Sequence, residues 1–271
     1  MAARELTLRI LSSAVLVPLA LALAYMGGWP FFAFWAIAAC GIFWEWRKVL
    51  ADPGPVPKGL GECAIAVAGA NAVVGHLGTA AIFLAIGVVV EAVLATTLRF
   101  RVWAAAGVVY AGALLISCVL LRRDPQHGFV AVVFLFAIVW TTDILAYFVG
   151  RFVGGPKLWR RVSPNKTWSG AIGGAGAAIV AALAVAHYAH LANSLAAASL
   201  ALVLSVASQA GDLFESAFKR RFGVKDAGHV IPGHGGIMDR LDGFLAAAVV
   251  AAIIGVARGG LDAAARGLLV W

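Results

Sequence analysis

Thirteen acidic residues are few for a chain of 271, and six of them, Asp143, Asp212, Glu215, Asp226, Asp239 and Asp242, are gathered in one stretch of the second half. Carboxylates in so apolar a chain mark function unless they are paired or ligated. Asp239 and Asp242 stand three apart, so on a helix both carboxylates reach one site and suit a hard divalent cation such as magnesium. The segment before them reads Lys225-Asp226-x-Gly228-His229-x-x-Pro232-Gly233-His234-Gly235-Gly236. Glycines let backbone amides close on a phosphate, and a helix beginning after Gly236 turns its positive end toward the same anion. Any one of these features is an ordinary turn. Together with the cations Lys219, Arg220, Lys225 and Arg240 they describe a phosphate and metal site.

Two further groups belong to the same chemistry. Ser205, Ser208, Gln209, Asp212, Glu215, Ser216 and Lys219 recur at steps of three and four, which lines them along one helix face turned to protein or water rather than lipid. Hydroxyls alone would make a packing seam between helices, but Asp212 and Glu215 ask for more than packing. Asp143 is expected near the middle of another helix, buried in the bundle, either as a site residue or as the partner of a structural arginine. A loop after it, Ser163-Pro164-Asn165-Lys166-Thr167-Trp168-Ser169-Gly170, offers a lysine, hydroxyls and a helix start, a combination suited to oxyanions and equally to plain N-capping.

The elements that hold these groups are membrane helices. The chain is 62% hydrophobic and 13% charged, against about a quarter charged in soluble domains. Breaks at Gly, Pro and charge clusters, with ~20 apolar residues per crossing, predict about nine transmembrane helices. They fall near residues 7–26, 29–45, 60–75, 78–97, 102–121, 128–150, 168–190, 193–214 and 239–258. The third is the weakest, with Glu62 and Asn71 inside a short run. The expected fold is therefore an all-α, polytopic membrane bundle forming one domain over 1–271, with N-terminal spans over 1–127 and a candidate catalytic half over 128–258. The apolar stretch from Leu11 to Met26 reads as an uncleaved first helix, since Gly27, Gly28 and Pro30 open a second span at once. Cys40, Cys63 and Cys118 lack metal-ligand spacing and read as small buried hydrophobes. Trp44, Trp46 and Trp103 read as interfacial anchors.

The net charge of +8 reports topology and anionic head groups here, not nucleic acid. Most Lys and Arg residues fall in alternate connections, around Arg4, Arg47, Arg99, Lys157 and Lys219, which predicts a cytoplasmic N-terminus, an external C-terminus and a cytoplasmic site. Arg122 and Arg123 are the main exceptions.

The residues also carry a family resemblance. The run Ser216-x-Phe218-Lys219-Arg220, four residues, Lys225-Asp226-x-Gly228-x-x-Ile231-Pro232-x-His234-Gly235-Gly236-Ile237-x-Asp239-Arg240-Leu241-Asp242 resembles the signature of the phosphatidate cytidylyltransferase (CDP-diglyceride synthetase) family, with each defined position filled. Upstream, Gln209-x-Gly211-Asp212-Leu213-x-Glu215-Ser216, Ser163-Pro164-x-Lys166-Thr167-Trp168 and Asp143 with Ala146-Tyr147-Phe148-x-Gly150-Arg151 extend it. The N-terminal half is similar only in being hydrophobic and multispanning. One position departs: where the family commonly has an acid before the glycine closing the Ser-Pro-x-Lys-Thr motif, this chain has Ser169.

The resemblance implies transfer of a cytidylyl group from CTP to phosphatidic acid, giving CDP-diacylglycerol and pyrophosphate in a bacterial inner membrane. It implies candidate catalytic residues at Asp212, Lys219, Arg220, Lys225, Asp226, His234, Asp239, Arg240 and Asp242. Candidate substrate contacts are Asp143, Ser163, Lys166, Thr167, Ser216, Gly235 and Gly236, and magnesium ligands are Asp212, Asp239 and Asp242. A second cation such as potassium, and a homodimer, follow from the resemblance alone. A CDP-alcohol phosphotransferase is disfavoured because Asp242-Gly243 continues with no further acid before Asp262. A secondary transporter would place its charges mid-span on paired broken helices. Here they gather mainly in one basic, glycine-rich segment.

Overall fold

The computed structural model describes residues 2–51, 59–228, 230 and 235–271, with side chains from residue 12 onward. Apolar runs become helices that start and stop where the local chemistry demands. Helix α1, Ala2–Met26, gives way at Gly27 to α2, Gly28–Leu50, with Pro30 in the first turn, where its missing N–H has no intrahelical partner to lose. Helices α3, Leu60–Val73, α4, Leu77–Leu94, and α5, Leu98–Arg122, follow. Then come α6, Gly128–Phe152, a hairpin of β1, Lys157–Trp159, and β2, Ser163–Thr167, and the helices α7, Trp168–Tyr188, and α8, Ser194–Arg221. Finally come α9, Met238–Gly259, and the short α10, Ala264–Leu269. Thr97, Thr167 and Asn193 cap α5, α7 and α8, each side chain accepting a backbone N–H three residues on.

Helices α1–α9 fall on the nine segments expected. Among the described residues six of these nine, α4 to α9, are long and apolar enough to cross a membrane, so the chain is an integral membrane protein built of helices with six crossings shown rather than nine. The shorter apolar pieces are Ser12–Met26 within α1 and Leu60–Val73. Three elements differ from the expectation. Helix α8 runs on to Arg221 instead of ending near 214, because Glu215 and Lys219 pair one turn apart and Phe218 is buried. The Ser-Pro-x-Lys-Thr segment is an antiparallel strand, pairing Lys157 with Thr167 and Trp159 with Ser163, where Pro164 is tolerated at the edge of so short a sheet. The C-terminal tail forms α10, held by Arg258, which donates to the carbonyls of Gly267 and Val270 and lies 3.5 Å above the Trp271 ring.

The chain forms two compact units, Met1–Arg123 with Val224–Arg240, and Asp124–Gly223 with Leu241–Trp271. The core of the first is aromatic. Trp35, Phe43 and Trp46 are essentially buried, and Trp46 donates its indole N–H to the Trp103 carbonyl at 2.8 Å. Trp46 is therefore a core residue and not the interfacial anchor expected; Gly107 leaves room for its ring. Trp44 remains exposed, with the Lys48 ammonium 3.3 Å over its ring. Arg122, out of step with the charge alternation, donates to the carbonyls of Ala24 and Tyr25 and so satisfies the end of α1. Of the cysteines expected to be buried, Cys118 is buried and Cys40 half-buried, but Cys63 is exposed on α3.

In the second unit α6 and α7 pack through small residues. A Cβ at Gly170 would lie 2.6 Å from the Ala146 carbonyl oxygen, and one at Gly174 would lie 2.7 Å from that of Thr142. Close backbone approach of this kind is how membrane helices associate without a hydrophobic driving force between them. Gly176, by contrast, meets no atom within 4 Å. Gly174→Ala is therefore expected to destabilise the protein by about 1–3 kcal/mol, as overpacking does. Gly176→Ala should be neutral or slightly stabilising, by the better helix propensity of alanine. Thermal unfolding in detergent compares the two.

Candidate functional site

The polar stripe expected on α8 is present, and its members divide by depth. Toward the start of the helix it is a packing seam: Ser205 is buried and accepts a hydrogen bond from Thr142 of α6 at 2.9 Å, while Gln209 donates to the Ala171 carbonyl and to Ser205, each at 3.3 Å. Ser208 is fully buried, and among the described residues its hydroxyl has no hydrogen-bond partner. One turn on, the stripe becomes charged. The Lys166 ammonium, from β2, forms an ion pair with Asp212 Oδ2, both side chains being partly exposed. Asp212 Oδ1 accepts from Ser216 at 3.5 Å, and Lys219 reaches back 2.8 Å to the buried carboxylate of Glu215.

Helix α9 brings its acid to this group by close backbone approach. A Cβ at Gly211 would stand 2.5 Å from the Asp242 carbonyl oxygen, and one at Gly243 would stand 2.6 Å from Ser208 Oγ. Only glycine at these two positions lets α8 and α9 meet there. Asp242 is half-buried, and the negative charges of Asp212, Glu215 and Asp143 all act on it. Its Oδ1 accepts from the Gly243 N–H at 2.7 Å. Four carboxylates thus share a neighbourhood in which Lys166 and Lys219 each neutralise one of them. Asp143 is exposed, not buried in the bundle as expected: the face of α6 that meets α7 carries Thr142, Ala146 and Gly150, and Asp143 lies beside that face rather than on it.

The hairpin sets the lysine. Thr167 is buried, and its hydroxyl caps α7 by accepting the Gly170 N–H at 3.1 Å, so Lys166 directly before it is fixed at the helix entrance. The departing residue, Ser169, shares a hydrogen bond of 3.0 Å with Thr167 and donates to the Gly154 carbonyl. Without the usual acid, the position ties α7 to the end of the α6 connection. Ser163 is half-buried at the far end of β2.

In the other unit, Asp239 opens α9. Its carboxylate accepts from the N–H groups of Gly236, at 3.1 Å, and Ala227, at 3.3 Å, and so ties both residues to the helix start. Gly236 is buried and Gly235 half-buried, with φ +93°. Lys225, Asp226, Arg240 and, at the end of α8, Arg220 are exposed. His234 lies outside the described residues.

A residue absent from the sequence reading also joins this segment. Glu45 of α2 is fully buried and accepts the N–H of Ile237 at 3.0 Å and of Met238 at 2.7 Å. The signal for it is an acid inside an aromatic helix, Trp44-Glu45-Trp46, that has no basic residue one turn before it.

Carboxylate oxygens are the ligands a hard divalent cation prefers, and such an ion is usually held by one or two carboxylates together with water and substrate phosphate oxygens, not by an all-protein cage. Asp212 and Asp242 fit that pattern. Among the described residues no three His, Cys, Asp or Glu side chains are grouped to hold a metal unaided.

The model of a cytidylyltransferase family matches residues 7–257. A phosphatidate cytidylyltransferase of Brucella abortus biovar 1 (strain 9-941) is 44% identical over 254 residues, 93% of either chain. One from Staphylococcus aureus (strain COL) is 45% identical over 121 residues, which is 44% of this chain and 46% of the relative.

Proposed function

Because the chain belongs to the cytidylyltransferase family, we propose that it transfers the cytidylyl group of CTP to phosphatidic acid, leaving CDP-diacylglycerol in the membrane and releasing pyrophosphate. A phosphate oxygen of the lipid attacks the α-phosphorus of the nucleotide, and the bond from that phosphorus to the bridging oxygen of the β-phosphate breaks. The attacking phosphate is already ionised near neutral pH, so no side chain needs to remove a proton. What the protein must supply is orientation and relief of repulsion between two polyanions.

The observation that carries this reading is the neighbourhood of Asp212, Asp242 and Asp143 beside Lys166, charges of both signs gathered in one place. Magnesium held by Asp212, Asp242 and Asp239 would supply charge neutralisation to the phosphates, with potassium as a second cation. Lys166, Lys219, Arg220, Lys225 and Arg240 contact phosphate oxygens, His234 orients those oxygens, Asp226 orients the basic side chains that meet them, and Ser216, Ser163 and Thr167 complete the polar wall. Asp143, exposed on α6, faces the incoming nucleotide, and the amide of Gly235 receives an anionic oxygen beside Gly236, whose own N–H donates to Asp239. The protein works as a homodimer in a bacterial inner membrane with its site on the cytoplasmic side, where CTP is made and where most of its basic connections belong.

Purified protein in detergent, given radiolabelled CTP, phosphatidic acid and magnesium chloride, is expected to move label into the lipid phase and release pyrophosphate in equal amount. A folded sample that leaves all label in the aqueous phase would refute the proposal.

A further inference from the structure

The start of α9 is held from a distance of nearly two hundred residues in sequence by one side chain, Glu45. Its two oxygens take the Ile237 and Met238 N–H groups separately, one each, so the carboxylate spans the first turn of α9 like a clamp. These donors have no partner inside the helix, and a carboxylate is the acceptor the positive helix end favours. The neighbouring chain is shaped around it. A Cβ at Gly228 would stand 2.5 Å from Glu45 Oε1, and one at Gly236 would stand 2.7 Å from Oε2 and 2.9 Å from Asp239 Oδ2. Gly236 is thus the spacer between two carboxylates, Glu45 on one side and Asp239 on the other, and Asp239 itself holds the Gly236 and Ala227 N–H groups.

From this geometry we infer that Glu45 is a positioning residue for the transfer reaction: it fixes the first turn of α9 and thereby the direction in which Asp239 presents its carboxylate. The inference rests on the proposed role of Asp239 in holding magnesium. Glu45 touches neither the reacting phosphates nor the cation; it acts through backbone. Glutamine cannot replace it, because one of its two side-chain termini is a donor and would face an N–H that also donates. Aspartate keeps both acceptors on a shorter stem.

The test uses the full chain in detergent and two readouts besides overall folding: steady-state turnover, and the rise in melting temperature on adding magnesium chloride, which reports binding without chemistry. Loss of an outer partner of a metal ligand weakens metal affinity or activity by about 10–100-fold, and Glu45→Gln is expected to lower kcat and raise the magnesium requirement within that range. KM for phosphatidic acid should stay nearly unchanged, and Glu45→Asp should regain part of the loss. Gly228→Ala, which drives a methyl group into the Glu45 carboxylate without removing it, should shift the magnesium response in the same direction and decides the matter if Glu45→Gln does not fold. Wild-type kcat and magnesium response in the folded fraction, with only the melting temperature reduced, would overturn the inference. Asp239→Ala separates the two ideas. Full activity in that variant sinks the role of Asp239 in the site, whereas an inactive Asp239→Ala beside an unaffected Glu45→Gln sinks the clamp alone.

Discussion

Asp212→Ala is expected to cut turnover by about 10²–10³-fold, the usual effect of removing one group aimed at developing charge in a water-poor site, while the protein still elutes as a folded species. The asymmetry between chemistry and folding follows from where the residue sits. Its carboxylate is partly exposed, its hydrogen bond from Ser216 is long, and its main partner is the equally accessible Lys166. Exposed pairs of this kind contribute about 0–1 kcal/mol to stability, too little to unfold the chain when one is lost. For catalysis the same carboxylate stands beside Asp242, where removing it takes away one of the three carboxylates proposed to hold the cation. Asp262→Ala, an exposed acid in the turn before α10, serves as the control and should keep full activity. Turnover and chromatographic profile measured together on both variants decide the point; an active Asp212→Ala would remove the acid from the site.

What the sequence makes legible here is what is periodic or local. Helix positions follow from apolar runs broken at Gly27, Pro30 and Gly128, and the α8 stripe follows from steps of three and four that place Ser205 through Lys219 on one face. The glycine signature announces its own chemistry because Asp239 and Asp242 are one helical turn apart on the same element. Other features depend on partners that no local pattern reveals. Strands β1 and β2, three and five residues long, hold Pro164 and no alternation of apolar residues, so only the pairing of Lys157 with Thr167 defines them. The burial of Trp46 depends on Gly107, far along the chain, leaving space for an indole. Glu45 is harder still, since its partners are backbone amides, which every residue possesses and which therefore leave no trace in residue types. The exposure of Asp143 illustrates the limit from the other side: an acid in the middle of an apolar helix suggests burial, yet a helix turn is covered only where a neighbour packs, and α7 packs on the adjacent face.

Lys166→Ala is expected to lower kcat/KM for CTP by about 10–100-fold, consistent with ~1.5–3 kcal/mol for a hydrogen bond to a charged group. The informative measurement is the double variant. If Lys166 served only to hold Asp212, its removal would matter no further once Asp212 is gone, and Lys166→Ala/Asp212→Ala would match Asp212→Ala alone. The geometry argues for a second role. The lysine projects from a rigid hairpin anchored by the buried Thr167 cap, its ammonium carries three donors, and the Asp212 pair occupies one. Among the described residues no other partner takes the remaining donors, which can meet phosphate oxygens as substrate arrives, so the double variant should be several-fold worse than Asp212→Ala, and Lys166→Arg should recover part of the single loss by keeping the charge. Equal rates for the double and the Asp212 variant would confine Lys166 to its ion pair. The hairpin would then be a scaffold for one acid and not a second wall of the nucleotide site.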